Sequence, residues 1–148
     1  MQIRVFKMVV GLVFLTAFSA GFAAEHQINM VDNGPDGIMV FDPSFLKMNK
    51  GDTVKFVIKD MGHNIVSHVV PDGAQTWKGT VNKDLVVTLD HEGVYIVECD
   101  LHTPLGMVGV IQVGSPVNLV AAKSAATKMA QGMAMHAERL EQYLAKVK

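Results

Sequence analysis

The chain has 148 residues, 49% of them hydrophobic and 18% charged, with 13 basic against 14 acidic side chains and one cysteine. That is one domain's worth of chain, too apolar for a disordered protein and, with Cys99 alone, unable to close an internal disulfide. The near-neutral balance also disfavours a nucleic-acid binder.

The first element is a leader. Arg4 and Lys7 precede an uncharged apolar run from Met8 to Phe18, and Gly21-Phe22-Ala23 supplies the small residues a signal peptidase reads, so residues 1–24 are expected to be a secretory signal peptide. The run falls short of the ~20 apolar residues a bilayer span needs. Cleavage after Ala23 or Ala24 leaves about 125 residues with 11 basic and 14 acidic side chains, a charge of about −3. Later segments are too short or too polar to span a membrane, so a soluble exported protein is expected, without nucleic-acid or membrane partners.

Residues 25–114 then read as short strands separated by turn chemistry. Gln27 to Val31 leads into Asp32-Asn33-Gly34-Pro35-Asp36-Gly37, and Ile38 to Phe41 follows. Lys50-Gly51-Asp52 turns into Thr53 to Lys59, where Val54, Phe56 and Ile58 alternate with polar neighbours as in a half-buried strand. Leu85 to Leu89 and Val94 to Cys99 flank Asp90-His91-Glu92-Gly93, which predicts neighbouring strands joined by a short connection. Met107 to Val113 closes the series, and the pattern predicts a mainly β protein built as a sandwich.

Beyond Ser115 the period changes. Ser115-Pro116 is a helix start, Val117 to Ala126 lacks strand alternation, and Met129, Met133, His136, Leu140, Leu144 and Val147 recur every three or four residues. Residues 115–148 are therefore expected to form a helical extension on the same domain. Gly132 interrupts that series, at a cost of about 1 kcal/mol relative to Ala within a helix.

The chemistry concentrates between the last two predicted strands, where Cys99, His102 and Met107 stand in the spacing C-x2-H-x4-M. A strand end, a short loop and a strand start can converge, so the three side chains can meet one ion, with Gly62-His63-Asn64 supplying a fourth ligand. Thiolate and thioether suit Cu(I), and imidazole accepts Cu(II) equally well. A trigonal His2Cys site with a weak axial Met is a compromise between the two oxidation states, so little has to move when an electron passes. Structural zinc recruits more thiolates, and catalytic zinc keeps a water position. Metallation also accounts for a single thiol in an exported protein.

These motifs resemble the small blue copper proteins, the cupredoxins, and within them the pseudoazurin group. The resemblance runs through Gly37 to Pro43, Lys50 to Val54, Gly62-His63-Asn64, Gly93-Val94-Tyr95, the Cys99 loop and the helical tail. The loop spacing is shared with plastocyanin, whereas azurin and amicyanin differ there, and the carboxy-terminal helices favour the pseudoazurin group. The resemblance implies a Greek-key sandwich with two C-terminal α-helices, and one type 1 copper ion held by His63, Cys99, His102 and Met107. It implies that the Asn64 N–H bonds the Cys99 sulfur while its side chain ties the two ligand loops, and that Met39 lies beside a copper-bound histidine. It places an apolar docking patch at Leu101, Pro104 and Leu105, with electrons passing through His102. The implied function is that of a monomeric periplasmic one-electron carrier, not an enzyme. Its implied partners are redox proteins such as copper nitrite reductase or c-type cytochromes.

The chain departs from the family pattern at Met61 and Glu98, where lysines are common, and at Leu101, where proline is common. Fewer lysines put a preference for acidic partners in doubt. Leu101 restores a backbone N–H which, aimed at the thiolate, raises the potential.

Other readings compete with these. His68 lacks the flanking Gly and Asn of His63, and His26, His91 and His136 read as surface residues, with Trp77 as packing. Met129, Met133, Met135 and His136 can be read as a second Cu(I) site, although at helical spacing they read as core. A periplasmic copper carrier remains the alternative function. A Cys99–His102 nucleophile pair lacks an oxyanion hole and an orienting third residue, and a multicopper oxidase needs more length and more histidine clusters.

Overall fold

The computed structural model describes residues 23–148, so the expected leader lies outside the described residues except for Ala23 and Ala24. Two four-stranded sheets face each other. In the first, β1 (Glu25–Gly34) lies between β2 (Gly37–Asp42), its antiparallel hairpin partner, and β4 (Thr53–Ile58), to which it runs parallel. The short β6 (Leu85–Thr88) completes that sheet on the far side of β4. In the second, β7 (Gly93–Glu98) pairs antiparallel with β5 (Val66–Val69) and β8 (Val108–Val113), and β3 (Phe45–Met48) runs parallel to β8. Among the described residues, no helix is long and apolar enough to cross a membrane.

The alternation along each strand explains the layers. Ile28 and Met30 of β1, Val54 and Phe56 of β4, Tyr95 and Val97 of β7, and Ile111 and Val113 of β8 fill the space between the sheets. The other face of the second sheet is not left to water. Val94 and Ile96 of β7 and Val108 and Val110 of β8 pack under α1 (Leu119–Ala130) and α2 (Arg139–Leu144) through Ala122, Met129, Leu140 and Tyr143. Covered on both faces, β7 and β8 read as continuous apolar runs instead of alternating ones.

Three sequence expectations change. Leu85 to Leu89 and Val94 to Cys99 are not paired neighbours: β6 belongs to the first sheet and β7 to the second, and Asp90 to Glu92 carry the chain across the sandwich. A connection this short fits either geometry, and the alternation of β6 does not distinguish them. The helix expected from Ser115 starts at Leu119, because the Asn118 side chain turns back to β7, where its Oδ1 accepts the Val94 N–H at 2.7 Å and its Nδ2 donates to the Val94 carbonyl at 2.9 Å. The apolar series from Met129 to Val147 is divided by the turn at Gly132 and by His136 at φ 54°, so it serves two helices and not one continuous face.

Candidate metal centre

Strand ends from both sheets bring the candidate ligands together. His63 lies in the crossing between β4 and β5, just after Gly62, whose φ of 99° an L side chain rarely adopts. Cys99 follows the last residue of β7, and Met107 precedes the first of β8. Between them a single 3-10 turn, Thr103–Leu105, ends at Gly106 with φ 75°, where a Cβ atom would lie 2.7 Å from the His136 Cβ. The loop is closed at its base: the Cys99 N–H donates to the Met107 carbonyl at 3.1 Å, and the Met107 N–H donates to the His102 carbonyl at 3.2 Å.

The side chains converge on one point. The donor atoms of His63, Cys99 and His102 all lie within 4.8 Å of one another. The two Nδ1 atoms are 3.1 Å apart, and the Cys99 Sγ is 3.5 Å from the His102 Nδ1. His63, Cys99 and Met107 are fully buried, and His102 alone of the four reaches solvent. Burial, and then the neighbouring His63, hold the His102 imidazole below its ordinary pKa, with Asp32 opposing the shift. A neutral imidazole presents a lone pair, so two ring nitrogens and a thiol sulfur form an electron-rich cluster suited to a soft cation, with Met107 buried in the same hydrophobic cluster as Cys99. The donor set fits copper better than zinc or a hard ion.

The family model for copper binding proteins of the plastocyanin/azurin family matches residues 28–114. The chain belongs to that family. Among its relatives, the pseudoazurin of Paracoccus pantotrophus is 40% identical over 75% of this chain and 79% of its own length. That of Methylorubrum extorquens is 44% identical over 69% of this chain and 71% of its own. The crystal structure of pseudoazurin from Methylobacterium extorquens superposes with a TM-score of 0.76 at 38% identity, covering 84% of this chain and 99% of the other. This plastocyanin/azurin family member is thus a cupredoxin that uses one type 1 copper ion and acts as an electron carrier, not an enzyme.

Around the four residues the structure refines the expectations. The Asn64 side chain does tie the two loops, since its Oδ1 accepts the Asp100 N–H at 3.2 Å and its Nδ2 donates to the Gly79 carbonyl at 3.3 Å. The expected bond from the Asn64 N–H to the Cys99 sulfur is not among the hydrogen bonds of the described residues, where the sulfur has His102 as its polar neighbour. Met39 packs against the cluster that contains Cys99 and Met107, with its backbone at φ 48°. Leu101 and Pro104 are exposed and Leu105 is half-buried, and Met61 is 70% exposed.

His68 is not near the centre's donors but bonds the Glu98 Oε1 at 2.9 Å, and the Glu98 Oε2 accepts from the Thr103 hydroxyl at 2.8 Å. Glu98 thereby braces the loop that carries Cys99 and His102. Trp77 lies against Tyr95 with ring centroids 6.0 Å apart, Met129 and Met133 pack between the helices and the second sheet, and Met135 is exposed.

Two residues near the centre escaped sequence reasoning. The Asp32 Oδ1 is 3.0 Å from the His63 Nε2. Arg139, only 3% exposed, reaches from α2 and donates to four carbonyls: Met39 at 3.1 Å, and Gly106, Asp36 and Ile38 at 3.0 Å each. A carboxylate in a turn-rich stretch and an arginine on a helical face carry no local signal of either role.

Proposed function

We propose that His63, Cys99, His102 and Met107 hold the copper ion, and that the chain is a soluble periplasmic one-electron shuttle. The observation that carries this reading is the convergence of two imidazoles and the thiol sulfur within 4.8 Å of one another, beside a buried thioether. Bound copper supplies the one-electron couple. The chain's part is to hold the same donors in place for both oxidation states, so that reorganisation on electron transfer stays small. The closed loop base, the Asn64 bridge and the Glu98 brace all act toward that rigidity.

Leu101, Pro104 and Leu105 form the docking patch, where an apolar contact excludes water around the partly exposed His102 edge. Met39 supports this side of the centre. The partners are redox proteins such as copper nitrite reductase or c-type cytochromes, met transiently by a monomer. Residues 1–24 direct export, residues 25–114 form the sandwich, and residues 115–148 cover its second sheet. Cleavage after Ala23 suits the fold better than cleavage after Ala24, because the Ala24 nitrogen donates to the Asp52 Oδ1 at 2.9 Å.

The test is voltammetry of the mature copper-loaded protein with copper content measured before and after repeated cycling. A reversible one-electron wave with copper retained supports the shuttle. Loss of Cu(I) to a chelator or partner on reduction instead indicates a copper carrier.

A further inference from the structure

The parallel pairing of β1 with β4 places Met30 beside Ile58. Each strand then continues toward the candidate copper centre, Asp32 from β1 and His63 from the loop after β4. Asp32 is fixed at that point by its backbone, whose N–H donates to the Asp60 carboxylate at 2.7 Å. Its side chain, 48% exposed on one side, turns its other side to His63, which is completely buried. The Oδ1–Nε2 distance is 3.0 Å.

An ionised carboxylate can only accept, so the His63 Nε2 carries the proton in this contact, and its Nδ1 is left as the lone-pair donor. That Nδ1 is the atom that faces His102 across 3.1 Å. A metal-bound imidazole whose other N–H donates to a carboxylate is fixed in tautomer and ring orientation and becomes a stronger base. A full negative charge next to the ligand also favours the higher charge on the metal, so it stabilises Cu(II) relative to Cu(I).

We propose that Asp32 is a positioning residue of the copper centre, selecting the His63 tautomer that binds metal and holding the reduction potential below the value a neutral partner would give. This rests on the ligand assignment made above for His63. It deepens that assignment by naming a charge outside the ligand set that biases the couple.

The two substitutions Asp32→Asn and Asp32→Ala separate charge from hydrogen bonding. Asp32→Asn keeps a carbonyl acceptor and removes the charge. It is expected to retain the blue charge-transfer band and to raise the midpoint potential, about 59 mV for each tenfold loss of Cu(II) affinity relative to Cu(I). Asp32→Ala removes both, and is expected to raise the potential at least as far and also to lower Cu(II) affinity about tenfold. An unchanged or lowered potential in blue Asp32→Asn protein overturns the proposal.

Nitrogen-resolved NMR of the copper-free wild-type protein gives a second test that needs no variant. The His63 ring should carry its proton on Nε2, and a proton on Nδ1 overturns the proposal. If wild-type copper protein shows no charge-transfer band at all, the ligand assignment fails, an outcome distinct from either result for Asp32.

Discussion

His63 and His102 meet Nδ1 to Nδ1 across 3.1 Å, although 39 positions separate them in the chain. Neither residue is placed by its own local structure. The crossing from β4 to β5 delivers the first, and the tight loop between β7 and β8 delivers the second. The centre is thus a junction of the two sheets, and its precision depends on what holds those connections together.

Arg139 is the first such clamp. Its guanidinium joins α2 to the Gly106 carbonyl beside Met107 and to the Met39 carbonyl, where the backbone at φ 48° needs outside support. Replacing it with Met leaves buried carbonyls without a donor and should cost about 3 kcal/mol. The urea midpoint should fall with an unchanged slope. Arg139→Lys should recover only part of the loss, because one ammonium cannot span acceptors placed for a planar fork. Full recovery would mean that only the charge matters.

Asp52 sets the response to acid. Its side-chain bond with His26, followed by the Ala24 and Asn49 N–H groups, holds its carboxyl at about 2, down from 3.8. Since the folded-state pKa is the lower one, the stabilisation is present above the unfolded value and disappears as pH falls through the folded one. Thermal unfolding should therefore show a loss of stability between about pH 4 and about pH 2. In Asp52→Asn this part of the pH dependence should flatten, and a profile as steep as wild type would reject the assignment.

Leu101 offers a third test. It lies between Cys99 and His102, 53% exposed, and its N–H donates to no backbone carbonyl among the described residues. A donor near the thiolate stabilises the reduced site. Leu101→Pro removes that N–H, so the midpoint potential should fall. A potential that stays level or rises would show that the N–H does not act on the sulfur.

Much of the candidate site was legible in the chain because its proposed ligands are chemically rare and closely spaced. Cys99, His102 and Met107 sit within one loop, and the flanking Gly62 and Asn64 distinguish His63 from His68. The β4 alternation and the turn residues likewise announced the sandwich. What stayed hidden depends on pairing between distant segments. Asp32 becomes a partner of His63 only once β1 lies parallel to β4, and the crossing after β6 looks like a hairpin until the sheets are assigned. The break before α2 was obscured because Met129 and Leu140 pack into the same cluster on either side of it, so the apolar period continues where the helix does not.

The most direct measurement is the visible absorption spectrum of the copper-loaded mature protein, compared with that of Cys99→Ser. An intense charge-transfer band from the thiolate should colour the wild-type Cu(II) protein blue and vanish in the variant. Survival of that band without the Cys99 sulfur would contradict the assignment of the copper centre to this loop.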